Sequence, residues 1–207
     1  MMAGCQSSDR ASFRFLMRTD VQTPSGLRSG SSVLEESAEY GTFVTSETGK
    51  GKAFLRGDAL VIDLPDGPVF VLLKMPDDRG SLGAVATQAL SGGKPLTGFD
   101  DLFGRVRKLA GWFGGAKAHL PREHWPMFVR FRDLHDPTTV EEVNPDTIGV
   151  RDVVLETTSS PVSHEIRKRL PWLSSDPEPS LNPDHGPTDY SLSATLHHVD
   201  FSHEKPL

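Results

Sequence analysis

GDALVIDLPDGPVFVLLK, residues Gly57 to Lys74, is the stretch of this sequence that says most about its fold. It holds two apolar runs, Ala59 to Leu64 and Val69 to Leu73, on either side of Pro-Asp-Gly-Pro. Proline and glycine favour the backbone angles of a tight reversal, so the stretch predicts a β-hairpin. The second run has no polar member, and a strand that is apolar on both faces is normally covered from two sides. We therefore expect the hairpin Ala59–Leu73 at the centre of a sheet.

Apolar periodicity outside the hairpin predicts more strands and a block of helices. Apolar and charged residues alternate from Phe13 to Val21, which is typical of a strand with one buried face. Two windows with helical spacing predict α-helices, and a window that begins with a serine cap predicts a third. These helices span about 81–90, 100–110 and 163–170. The predicted fold class is α+β, a mostly antiparallel sheet around the hairpin with the helices on one face.

The distribution of polar and turn-forming residues predicts three segments. Residues 1–12 are expected to form a flexible N-terminal segment, and residues 13–173 a single globular α+β domain. Residues 174–207 begin with a stretch rich in proline, serine and aspartate, which predicts a loosely ordered tail. Apolar residues alternate again near 190–196, where the pattern predicts an edge strand.

Composition limits the classes of function. The chain has 207 residues and a formal net charge of -6, which argues against a general nucleic-acid partner because such proteins need a basic surface. Its single cysteine excludes an internal disulfide framework and a multi-cysteine metal site. No window has the roughly 18 consecutive apolar residues that span a bilayer. We expect no cofactor.

The single cysteine lies in a context with two interpretations. Met2-Ala3-Gly4-Cys5 resembles the lipobox of bacterial lipoproteins, in which small residues precede a cysteine that becomes lipidated. If translation starts upstream of Met1, an apolar signal segment would precede this box, and Cys5 would anchor the protein in the cell envelope, facing the periplasm. Otherwise Cys5 is an unpaired thiol and the protein is cytoplasmic.

Two groups of residues are candidates for ligand binding. Arg130 and Arg132 project from one face of a predicted strand and could bind an anion, although ion pairing with a neighbouring strand is the alternative. His197, His198 and His203 are weak candidates for a metal site, because their spacing matches no known zinc motif. The alternative is that these histidines are solvated polar residues, and we predict no metal.

No residue is predicted to be catalytic. The sequence lacks the Gly-x-Ser-x-Gly pattern that presents a nucleophilic serine. Gly111 to Lys117 contains the glycines and lysine of a phosphate-binding loop in the wrong order, and a helix terminator explains it better. Cys5 has no local base that would lower its pKa.

Three separated blocks resemble a protein family. Val21–Glu35, Phe128–Pro145 and Ile166–Leu173 are similar to an uncharacterised family of Gram-negative bacterial proteins of unknown function, some with lipoprotein-like N-termini. The similarity runs from about Phe13 to Leu173, after which the sequence departs from the family pattern. The resemblance implies an envelope location and implies nothing about catalysis.

These observations predict a non-catalytic binding or structural domain of the bacterial cell envelope, lipid-anchored through Cys5. One alternative is an enzyme, such as a hydrolase, whose site is assembled from scattered residues. Another is a soluble cytoplasmic interaction protein in which the lipobox is a coincidence. Membrane association through the anchor is the only partner that the sequence predicts.

Overall fold

The computed structural model describes residues 9–40, 51–76, 80–111, 115–173 and 179–204. Within these ranges ten strands form two antiparallel sheets and three α-helices pack against them, so the predicted α+β class is confirmed. In chain order the elements are β1 (Arg10–Thr23), β2 (Gly26–Tyr40), β3 (Gly51–Asp58), β4 (Leu60–Leu64), β5 (Gly67–Val71), α1 (Leu82–Leu90), α2 (Phe99–Ala110), β6 (Lys117–His119), β7 (Phe128–Phe131), β8 (Val140–Glu142), β9 (Val150–Thr157), α3 (Leu192–Thr195) and β10 (Ser202–His203).

The larger sheet is built on the long hairpin formed by β1 and β2. Its strand order is β10-β3-β2-β1-β9-β6. The predicted alternation on β1 is confirmed, because Phe13, Phe15 and Met17 are buried while Arg18 on the other face is exposed. One face of this sheet therefore belongs to the core, and the other carries charged side chains.

The predicted hairpin forms the first two strands of the smaller sheet, whose order is β4-β5-β7-β8. Leu64 pairs with Gly67, and Gly67 adopts a φ of 110°, which glycine tolerates and other residues rarely do. As predicted, β5 is an interior strand. Val69 and Val71 pack into a first core beneath the larger sheet, whereas Phe70 and Leu72 pack into a second core on the opposite face. The smaller sheet is thus a middle layer, and the division into two sheets was not predicted.

The helices α1 and α2 cover part of the inner face of the larger sheet, as predicted. The Ser81 side chain accepts a hydrogen bond from the Ala84 N–H and caps α1. Acidic residues occupy the first turn of α2 and basic residues the last, which suits the helix dipole. Among the described residues, no helix combines the length and apolar character needed to cross a membrane.

The predicted helix at 163–170 is wrong. Only a short 3-10 turn forms, at Ile166–Lys168. The reason is that Ser163 bonds to the edge of β2 instead of capping a helix. Its Oγ accepts a hydrogen bond from the Val33 N–H, and its own N–H donates to the Val33 carbonyl, both at 3.0 Å. These bonds tie Ser163 to β2 and leave its side chain unable to cap a helix.

The predictions for the two chain ends also need correction. Residues 10–12, predicted as part of a flexible segment, belong to β1 and pair with β2. The predicted edge strand near 190–196 is instead the single helical turn α3, because apolar residues four apart, Leu192 and Leu196, can both face the second core from a helix.

The tail is ordered from residue 179 to 204, contrary to the prediction of a loose tail: residues 179–201 pack against the smaller sheet, and Ser202–His203 add strand β10 to the larger one. Leu181, Leu196 and Phe201 are buried in the second core. The backbone is also tied down, since the Leu181 N–H donates to the Leu196 carbonyl. The tail therefore supplies one wall of the second core.

Candidate functional site

An open groove lies at the end of the smaller sheet. It has a volume of about 740 Å³. It lies between residues 142–145, which continue β8, and residues 122–128, which lead into β7. A second depression of about 260 Å³ beside α1 shares Pro76 and Glu123 with it, so the two adjoin. The sequence did not predict this site, because the lining segments carry no motif.

The floor of the groove is apolar and rigidly held. Trp125 is buried, and its indole N–H donates to the Leu120 carbonyl at 2.8 Å. Arg122 lies over the Trp125 ring at 4.7 Å from the ring centre and also pairs with Asp146 at 3.2 Å. Phe128 packs against Trp125, with ring centres 6.2 Å apart. The arrangement gives an aromatic floor whose neighbouring cation is already engaged.

The rim of the groove carries two exposed carboxylates. Glu123 and Glu142 are both exposed, and neither forms an ion pair with another described residue. The nearby Glu141 is different, because Arg130 and Arg132 both bind it. An apolar floor with a few polar groups at its edge is the usual make-up of a ligand pocket.

A second notable group is a carboxyl inside the first core. Glu36 on β2 is 1% exposed, and its Oε2 has no hydrogen-bond partner among the described residues. It is flanked by Phe13 on β1 and Leu55 on β3, and it faces Gly83 of α1. Burial raises the pKa of Glu36 to about 8, so the carboxyl is mostly protonated at neutral pH.

The position of Glu36 in its strand is a sequence signal for this buried carboxyl. Glu36 has the same parity on β2 as Leu34 and Ala38, both of which are fully buried. A charged residue at a core-facing position of an alternating strand is rare and costs stability. Since Glu36 is sealed beneath α1, it is not accessible to a ligand in this structure.

The candidate anion-binding pair faces a carboxylate. The Arg130 Nε lies 3.5 Å from Glu141 Oε2, and the Arg132 Nε lies 3.0 Å from Glu141 Oε1. Glu141 is on β8, the strand next to β7, so this is the interstrand ion pairing that the sequence offered as the alternative. An anion would have to compete with Glu141 for both guanidinium groups.

The three C-terminal histidines have separate surroundings. His198 packs against the Trp172 ring with centres 5.6 Å apart, and His197 is the N-cap of the 3-10 turn His198–Asp200. His203 lies on β10 and is half-buried, and this burial lowers its pKa. Within the described residues, no group of three or more His, Cys, Asp or Glu side chains is arranged to hold a metal ion.

The lipidation candidate Cys5 lies outside the described residues, which begin at Asp9. The groove and the buried Glu36 are therefore the features of this structure that bear on function. No protein-family model, no curated protein and no solved structure matches this chain.

Proposed function

We propose that this protein is a non-catalytic binding domain of the bacterial cell envelope and that its ligand lies in the groove between residues 122–128 and 142–145. The observation that carries the proposal is the contrast between the apolar floor formed around Trp125 and the two exposed carboxylates at the rim. Such a site can bury the apolar part of a ligand and orient its polar part. The ligand would be retained rather than transformed.

The rigidity of the floor supports a binding role. Trp125 is held by a hydrogen bond from its indole and by the Arg122 guanidinium. The buried Phe128 belongs to β7, an interior strand of the smaller sheet. A pre-formed site loses little side-chain entropy when a ligand binds, which favours affinity.

The envelope location is the second part of the proposal, and the residues before β1 support it. Met2-Ala3-Gly4-Cys5 has the small residues that precede a lipidated cysteine, and polar residues follow it. Two or more acyl chains on Cys5 would hold the domain stably at a membrane, where a single chain would not. In the native host, the gene product should enter the membrane fraction, and Cys5→Ser should abolish lipid labelling. A soluble product without label would end this part of the proposal.

A fragment screen by protein-observed NMR tests the groove. We expect the fragments that bind to shift the Trp125 indole and Met127 methyl signals. Glu123→Trp places an indole on an exposed position shared by both depressions, so it should abolish binding. Glu156→Trp, on an exposed position of β9 in the other sheet, is the matched control and should leave binding intact.

The same variants decide between binding and catalysis. If the wild-type chain hydrolyses ester, phosphate or peptide substrates and Glu123→Trp abolishes this turnover, the non-catalytic proposal is wrong and the groove is an active site. If fragments bind elsewhere on the surface, or if Glu123→Trp leaves their binding unchanged, the groove is not the ligand site.

A further inference from the structure

We propose that the groove accepts an extended, positively charged peptide segment, which adds as a strand to the open edge of β8. This inference rests on the proposed function, because it identifies the class of ligand that the same groove takes. It depends on the backbone of β8, on the charge of the rim and on the apolar floor.

The hydrogen-bond pattern shows which residues of β8 face outward. β8 is an edge strand that pairs only with β7 among the described strands. The Val143 N–H donates to the Phe128 carbonyl at 2.8 Å, and the Arg132 N–H donates to the Thr139 carbonyl at 3.3 Å. Backbone groups in an antiparallel strand alternate in direction, so residues 139, 141 and 143 face β7 and residue 142 faces away from it. Glu142 thus presents its N–H and C=O at the open edge.

The groove reaches the end of β8 that carries Glu142. At the other end of β8, Val140 is buried and α3 packs against the strand. Glu142, Val143 and Asn144 instead line the groove. An edge strand with outward N–H and C=O groups is a template for another extended chain, and strand addition is a recurring mode of peptide recognition.

The charge of the rim selects a cationic segment. Glu142 and Glu123 are exposed and form no ion pair within the described chain, whereas the Arg122 cation is engaged by Asp146. The chain as a whole carries a net charge of -6, which adds to the attraction for a basic partner. Successive side chains of an added strand face opposite sides of the sheet, as those of Glu142 and Val143 do, and Val143 belongs to the same core as Trp125 and Phe128. A segment that alternates basic and apolar residues therefore fits best, because its basic residues can lie beside Glu142 and its apolar residues beside Val143.

A binding experiment with a defined probe tests this inference. The probe is a short fluorescein-labelled peptide of alternating lysine and valine, titrated with the full chain at low salt and followed by fluorescence anisotropy. Two control peptides replace lysine by glutamate or carry N-methylated backbone amides, which cannot form strand hydrogen bonds. We expect saturable binding of the probe and affinities at least about tenfold weaker for both controls.

Two substitutions at one position separate the contributions of charge and backbone. Glu142→Gln removes the carboxylate and should weaken binding of the probe several-fold. Glu142→Pro also removes the outward N–H, so the affinity of this variant for the probe should fall at least about tenfold. Proline is tolerated at an edge position whose N–H faces solvent, so the variant should fold. Glu156→Gln, at an exposed carboxylate on the larger sheet, should leave the affinity unchanged.

The outcomes distinguish this inference from the proposed function. If the probe does not bind while fragments still shift the Trp125 indole, the groove is a ligand site but not a peptide site, and the inference is overturned. If the N-methylated peptide binds as tightly as the probe, the attraction is only electrostatic and strand addition is wrong. The N-methylated peptide keeps this test valid even if Glu142→Pro fails to fold.

Discussion

Glu36 is the residue at which local pattern and tertiary environment conflict most strongly. Its neighbour Glu35 points to the opposite face of the larger sheet, where Arg14 and Arg56 bind it at 3.4 Å and 3.3 Å. Glu36 instead points into the core and has no such partner for Oε2 among the described residues. Two adjacent glutamates therefore differ in environment because successive side chains of a strand face opposite sides.

The buried carboxyl makes stability depend on pH in an unusual direction. In the folded protein the pKa of Glu36 is about 8, against 4.5 for an ordinary glutamate. Between these values the folded state keeps a proton that the unfolded state has lost, so stability falls as pH rises from about 4.5 to 8. Glu36→Gln removes this pH dependence. The unfolding free energy of the variant minus that of wild type should therefore be roughly 3 kcal/mol larger at pH 7 than at pH 4. Urea unfolding at several pH values measures this change.

Glu35→Gln is the matched control for that experiment. It breaks two ion pairs on the outer face and removes no buried carboxyl, so it should not stabilise the protein as pH rises. A free-energy difference between Glu36→Gln and wild type that stays constant from pH 4 to 8 would show that Glu36 is not buried in solution.

At the scale of elements, α1 can approach the larger sheet only because one of its residues is glycine. A methyl group at Gly83 would overlap with the Glu36 carboxyl. Glycine in a helix is otherwise unfavourable by roughly 0.5–1 kcal/mol relative to alanine. The close contact between α1 and β2 thus depends on a residue that helix propensity alone would disfavour.

Alanine substitutions in the two helices should have opposite effects. Gly83→Ala should destabilise the protein by roughly 1–3 kcal/mol, because a methyl group must be accommodated in a filled site. Gly104→Ala in α2 should stabilise it by about 0.5–1 kcal/mol, since nothing lies within 4 Å of an added methyl there. Denaturant midpoints of the two variants are the measurement. Equal, stabilising effects would mean that α1 is not seated on Glu36.

The strand β5 is buried on both of its faces, so its side chains contribute strongly to stability. Phe70 is fully buried in the second core, where it packs against Phe131 and Phe201. Phe70→Ala should destabilise the protein by roughly 3–5 kcal/mol, because it leaves a cavity in a packed interior. An unchanged denaturant midpoint for this variant would show that Phe70 of β5 is not part of a packed core.

At the scale of the whole molecule, the smaller sheet is stable only if both of its faces are covered. The larger sheet and helices α1 and α2 cover one face, and residues 166–173 and 179–201 supply most of the described cover for the other. The C-terminal segment therefore belongs to the same cooperative structure as the sheets, although its composition is typical of a loose tail.

Two aromatic substitutions in that segment test its role. Phe201 is fully buried, so Phe201→Ala should cost roughly 3–5 kcal/mol of stability. Tyr190 is 82% exposed, so Tyr190→Ala should change stability by no more than about 0.5 kcal/mol. Thermal unfolding of both variants provides the comparison. Similar, small effects for the two would mean that the tail does not close the second core.

Sequence reasoning was most successful where structure depends on neighbours along the chain. The hairpin, the alternation on β1 and the two longer helices follow from turn residues and apolar periods, which act over a few residues. The window around Ser163 failed for the complementary reason, since its capping side chain bonds instead to Val33, far away in the sequence.

By itself, the sequence determined the fold class, the hairpin and its two-sided burial, because local periodicity and turn chemistry are written in consecutive residues. The tertiary structure alone decided that the strands divide into two sheets, that Glu36 lies beneath Gly83, and that residues 122–128 meet residues 142–145 in a groove. The positions of these features follow from packing of the whole core, which no single window of sequence contains.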